Sequence, residues 1–205
     1  IILEDDCLPS QSFFWFCEEL LERYKDDMRV WHIGGFSLQN SLIEDSYRFS
    51  RLIPIWGWAT WRRSWNKYEI DMNGFDPKEE RIYSYFGRYS NDVKETFKQH
   101  LLNNVNTWDT QWAFTCVKNG ALSIIPKKSL IKNIGFGADA THTLSHDKVN
   151  SNIQNSDLKF PLTHSDINDL NNIAILDEQY LSVFYKKTFF SQIKSKIKKV
   201  ISWIK

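Results

Sequence analysis

Apolar and polar positions change their period along the chain, and the changes mark its elements. Ile1, Ile2 and Leu3 form an apolar run that stops at three carboxylates, Glu4, Asp5 and Asp6. Such a run reads as the tail of a buried parallel strand. Pro9 and Ser10 precede a helical stretch from about Ser12 to Tyr24. Phe13, Phe16, Cys17, Leu20, Leu21 and Tyr24 share one face there, and Ser10 or Ser12 can cap it. Val30 to Gly35 predicts a strand ending in a glycine turn, and Tyr47 to Ser50 a short strand. Gly57 to Trp65 suits the start of a helix, because Trp58, Trp61, Arg62 and Trp65 fall at helical spacing. Asn91 to Asn104 reads as a polar-faced helix. Thr110 to Asn119 reads as a more apolar one ended by Gly120, followed by a strand from Ala121 to Pro126. Lys128 to His146 is irregular and contains glycines, and Asn150 to Asn172 is a polar, Asn-rich loop. Strands interspersed with helices give an α/β class.

Composition narrows the function classes. At 205 residues and 42% hydrophobic, the chain can bury the core of one ordinary domain. A net charge of +1 supplies no global field for nucleic acid, which is not expected as a partner. Cys7, Cys17 and Cys116 form no CxxC pair and no framework, and read as buried thiols of a reducing compartment. The tryptophans suit either a core or a sugar-contacting surface, the core being the commoner use. From Tyr185 to Lys205 the chain has many lysines and no acid. Ile193, Ile197, Val200, Ile201 and Ile204 make one apolar stripe there. A basic helix of this kind suits an anionic membrane surface and is too short and charged to span a bilayer. The alternative is a terminal helix docked on its own domain.

Chemistry concentrates at a few points. Ligands of open α/β sheets sit beyond the carboxyl ends of strands, where carboxylates can hold a divalent cation. Asp5 and Asp6 point to opposite sides if the strand continues, so one metal ligand is expected rather than two. Asp109 stands between Trp108 and Trp112 at the start of a helix, either as an N-cap or as a base in an aromatic wall. Gly135 and Gly137 permit close backbone approach to a ligand, without the GxxxxGK[ST] or GxGxxG pattern. His142 and His146 are four apart, but no HExxH motif or cysteine ligand accompanies them, which argues against zinc.

Four segments in order carry a resemblance: Glu4-Asp5-Asp6, Trp56-Gly57-Trp58-Ala59-Thr60-Trp61, Trp108-Asp109-Thr110-Gln111-Trp112, and the loop from Gly135 and Gly137 to His142. Together they resemble the second half of a GT-A glycosyltransferase, nearest to the N-acetylglucosaminyltransferase I type and to bacterial sugar transferases described as hemolysin-like. The resemblance covers Ile1 to His142. It implies the C-terminal part of a GT-A, Rossmann-like fold over residues 1–147. A polar extension over 148–184 and the basic amphipathic tail over 185–205 follow. The chain then reads as lacking the first half of that fold.

The resemblance also implies roles. Asp6 would coordinate Mn²⁺ or Mg²⁺, with Asp5 near the ribose and Glu4 near the donor-sugar hydroxyls. Asp109 would be the catalytic base. Ser129, Gly135, Gly137 and His142 belong to the loop that orders over the nucleotide-sugar. The implied activity is inverting transfer from a nucleotide-diphospho-sugar, a UDP-sugar, to a glycan or polysaccharide acceptor. Its implied setting is bacterial surface-polysaccharide assembly, in the cytoplasm or on the inner face of the plasma membrane. The chain departs from the eukaryotic Trp-Asp-Asp-Trp pattern by Trp-Asp-Thr-Gln-Trp, which shifts the register around Asp109. Two other classes stand beside it. One is a glycoside hydrolase using Glu4 or Asp5 with Asp109. The other is a non-catalytic membrane-surface module or a degenerate transferase fragment.

The tail reading has a direct check. The chain should bind vesicles containing phosphatidylserine and release them as salt rises. Salt-insensitive binding in a flotation assay, or none, counts against it.

Overall fold

The structure, a computed structural model, describes residues 1–38, 43–103, 107–135 and 153–185. In chain order its elements are β1 (Cys7–Pro9), α1 (Gln11–Arg23), β2 (Val30–Gly34), β3 (Tyr47–Ser50), β4 (Trp58–Ala59), α2 (Arg62–Trp65), α3 (Glu80–Tyr83), a 3₁₀ segment (Ser84–Tyr89), α4 (Ser90–Leu102), α5 (Asp109–Lys118), β5 (Leu122–Pro126) and β6 (Ile131–Asn133). A further helix, α6, covers residues 170–185. The chain is therefore of mixed α/β class with mixed sheets.

All five residues of β5 are buried, which suits an interior strand. It lies parallel to β2 and antiparallel to β3 in a four-stranded sheet of order β3-β5-β2-β4. On one side α1 lays Phe13, Phe16, Cys17 and Leu20 against Ile33, Tyr47, Phe49 and Ile124. Elsewhere α5 inserts Phe114 and Val117 among Tyr83, Phe86, Val93 and Phe97. The three thiols are buried as expected.

Several expectations are corrected. Ile1 to Leu3 do not form a buried parallel strand: Ile2 makes an isolated antiparallel bridge with Trp58, and all three residues are exposed. The chain then turns at Asp5 and Asp6, with Cys7 N–H donating to Glu4 O at 3.1 Å, so the strand does not run on through the acids. Gly57 does not open a helix. Its φ of 61° is left-handed, and a Cβ there would overlap Ile131. Trp58 and Ala59 instead pair with Gly34 and Ile33, and only a short helix, α2, follows. The irregular stretch after Lys128 contains β6, which pairs antiparallel with β1. Ser10 occupies the cap position of α1 without a side-chain cap bond, while Ser12 is buried and donates to Asp157 Oδ1 at 2.9 Å.

The polar stretch is irregular over residues 153–169 and becomes helical at 170. It packs onto the rest of the chain: Leu162 and Ile173 join the α1 core, and Leu181 joins the α4–α5 core. Between them Asp177 meets edge strand β3, accepting from Arg48 Nη1 at 2.6 Å, Ser50 Oγ at 2.6 Å and Arg51 N–H at 2.7 Å. Among the described residues, no helix is long and apolar enough to cross a membrane. The basic tail beyond Tyr185 lies outside the described residues.

The Arg48–Asp177 pair is almost wholly buried, with side-chain exposures of 7% and 2%. Asp177→Ala would leave the guanidinium buried without its counter-charge. It should destabilise the fold by about 3–5 kcal/mol, read by urea denaturation. A loss below about 1 kcal/mol, the scale of an exposed pair, would show that water reaches Arg48.

Candidate active site

The candidate site is assembled from the acidic turn before β1, the end of β6 and the start of α5. The ribbon of β1 and β6 fixes the turn: Cys7 pairs with Asn133, and Ile134 N–H donates to Asp6 O at 2.8 Å. Asn133 Nδ2 reaches Asp6 Oδ2 at 3.3 Å, while Asn133 Oδ1 accepts from Gly135 N–H at 2.7 Å. Gly135 lies directly against the Asp6 carboxylate, where a Cβ would overlap it.

Glu4, Asp6 and Cys7 bring one ligand atom each to within 4.8 Å of one another. Two carboxylates form a donor set for a hard divalent cation, and a thiol does not. Cys7 Sγ instead donates weakly to Asp6 Oδ1 at 3.6 Å, and burial pushes its pKa up to about 12. The Glu4 and Asp6 carboxylates thus fit Mn²⁺ or Mg²⁺. Burial raises the Glu4 pKa, and the charges of Asp6, Asp109 and Asp5 raise it further. The Trp108 indole acts the other way. Asp5 is exposed at the turn.

Asp109 is the first residue of α5, and Trp108 rather than Asp109 holds the N-cap position. Its Oδ1 accepts from Thr107 Oγ1 at 2.5 Å, Thr110 N–H at 2.6 Å and Thr110 Oγ1 at 3.3 Å. Among the described residues no hydrogen bond reaches its Oδ2. One oxygen is therefore held by the helix start.

Beside this acidic edge lies a cleft of about 560 Å³, lined by Ile2, Trp58, Trp61, Trp65, Tyr68 and Trp108. Thr60 and Arg62 complete the lining. Trp65 and Tyr68 stack with centroids 4.6 Å apart and an interplanar angle of 11°. Asp109 contributes to raising the Tyr68 pKa, after burial, which places the cleft within its field. The floor is built on His32, which is fully buried in β2. Trp112 Nε1–H donates to His32 Nδ1 at 3.1 Å, so the ring carries its proton on Nε2 and donates to Pro54 O at 2.8 Å. Trp58 stacks on His32 at 5.1 Å and on Trp108 at 5.4 Å.

Of the residues singled out in sequence, Glu4, Asp6, Gly135 and Asp109 are thus brought to one edge. Ser129 is not. It is 1% exposed, and its hydroxyl donates to Ile131 O at 2.6 Å and accepts from Ser37 N–H at 3.4 Å, leaving no surface for a ligand. Gly137, His142 and His146 lie outside the described residues. Sequence reasoning missed Asn133, which is polar at a strand end, and Tyr68, and it grouped Arg62 and Trp65 with Trp58 and Trp61 only as the face of a helix. Trp65 and Tyr68, three apart with Arg62 one turn earlier, carried the signal. No protein-family model, curated protein or solved structure matches the chain.

The buried histidine generates a pH dependence. Burial lowers the His32 pKa to about 4 in the folded protein, against about 6.5 when unfolded. Between these values the unfolded chain binds a proton that the native state refuses. This contribution to stability is therefore full above about pH 6.5 and lost as pH falls towards 4, by roughly 3 kcal/mol. Urea titrations of the wild type and His32→Gln should differ in slope across that window, and parallel pH profiles would remove His32 as the cause.

Proposed function

We propose that the protein is an inverting, metal-dependent glycosyltransferase of GT-A type, moving a sugar from a nucleotide-diphospho-sugar to a glycan acceptor. The observation that carries this reading is the meeting of three parts from distant segments: the Glu4/Asp6 carboxylate pair, the half-bonded Asp109 and the aromatic cleft. Their order along the chain and their chemistry agree with the resemblance noted in the sequence.

Asp6 would hold Mn²⁺ or Mg²⁺ through its carboxylate, and Glu4, which the resemblance puts on the donor-sugar hydroxyls, lies close enough to Asp6 to share the ion, with Asn133 steadying Asp6 and Gly135 leaving room beside it. When bound, such an ion supplies positive charge against a leaving diphosphate. Asp109 would take the proton of the acceptor hydroxyl as that oxygen attacks the anomeric carbon. The hydrogen bonds from Thr107 and Thr110 orient the carboxylate for this step. The cleft would hold the acceptor, since pyranose rings have an apolar C–H face that suits an aromatic wall. Asp5, exposed at the turn, remains the residue for the ribose side.

The raised Glu4 pKa beside Asp109 favours a second reading, glycoside hydrolysis by a carboxyl pair. It needs neither nucleotide nor metal, and release of nitrophenol from aryl glycosides in EDTA would support it.

Calorimetry of UDP with Mn²⁺ tests the first reading. Binding should vanish with EDTA and weaken strongly in Asp6→Ala. Asp109→Asn should leave that binding near wild type and lower sugar transfer by about a hundredfold or more. Nucleotide binding that ignores metal and Asp6, or unchanged transfer in Asp109→Asn, would defeat it.

A further inference from the structure

We infer that the aromatic cleft takes a hexuronic acid as its acceptor unit, with Arg62 binding the sugar carboxylate. This deepens the transferase reading and rests on it for the word acceptor.

Two neighbouring arginines set up the argument. Arg63 is committed to the fold: its guanidinium donates to Lys25 O, Tyr24 O, Asp27 O and Val30 O at 2.9–3.1 Å. It also lies 4.6 Å over the Trp61 ring. Arg62, one residue earlier, lines the cleft. Among the described residues its side chain has no hydrogen bond, ion pair or ring contact. A planar guanidinium beside an aromatic wall is suited to a planar carboxylate, which it can bind through two parallel N–H bonds.

The wall beside Arg62 is aromatic, and Trp58 sits in it with its indole Nε1 buried away from the cleft's solvent. Trp65, Tyr68 and Trp108 provide the apolar wall for the ring's C–H face.

Arg62 is the one charged side chain among the residues that line the cleft, so an acidic substituent on the sugar is drawn to it.

Ligand-observed NMR titration of the full chain tests this with methyl β-D-glucuronide, methyl β-D-glucoside and glucose 6-phosphate. The glucuronide should bind about tenfold more tightly than the glucoside, the scale of a hydrogen bond to a charged group. Arg62→Gln should close that gap by weakening the glucuronide, and Trp65→Ala should weaken both glycosides. Equal affinities, no binding of either glycoside, a gap that survives Arg62→Gln, or tighter binding of the phosphate would each overturn the inference. A parallel Mn²⁺–UDP titration separates the two levels. Nucleotide binding without glucuronide preference defeats the uronic acid alone. Glucuronide preference without nucleotide binding keeps the cleft's specificity and defeats the transferase reading.

Discussion

A hydrogen bond between two fully buried rings joins the sheet to the helix that carries the catalytic candidate. Trp112 has one donor, and His32 in β2 is its acceptor. Because the indole cannot accept, the imidazole must stay neutral and send its own proton to Pro54 O. This pairing sets how α5 lies on the sheet, and Asp109 is three residues before Trp112 on the same helix. The stack continues through Trp58 to Trp108, so the aromatic floor and the carboxylate beside it share one support. A site built this way is rigid because its side chains are locked by packing from below.

The acidic edge is held against its own repulsion. Besides burial, the charge of Asp6 hinders the ionisation of Glu4, and Asp109 adds to the effect. Backbone bonding of the β1–β6 ribbon, rather than attraction between the side chains, keeps them together. Glycine at 135 is what allows that ribbon to close over Asp6. Such an edge is well matched to a bound cation, whose charge reverses the local electrostatics.

Much of the framework was legible in sequence where one period ran long enough. The α1 stripe, strands β2 and β3, and helices α4 and α5 follow from apolar spacing to within a residue or two. The failures have physical causes. Trp58, Trp61 and Trp65 keep helical spacing because they line one cleft from a strand, a turn and a short helix, so common surroundings imitated a single helix. The ribbon of β1 and β6 was too short to show a period, and its partners are more than a hundred residues apart. Ile1 to Leu3 read as buried because they are apolar, whereas they are exposed beside Trp58. At the site, Asp6 and Asp109 could be picked out by residue type, but their convergence with Asn133, Trp65 and Tyr68 could not. That convergence is a property of topology, not of local pattern.

The clamp between α6 and β3 has a consequence for synthesis. Arg48 emerges from the ribosome 129 residues before the carboxylate that neutralises it. Until Asp177 arrives, β3 is an open edge carrying a cation that must stay in water, so it is poorly suited to pairing with other chains. The same charge that costs energy in the finished core thus protects the nascent sheet. The long sequence separation places closure of this edge late in folding, after the local helices have formed.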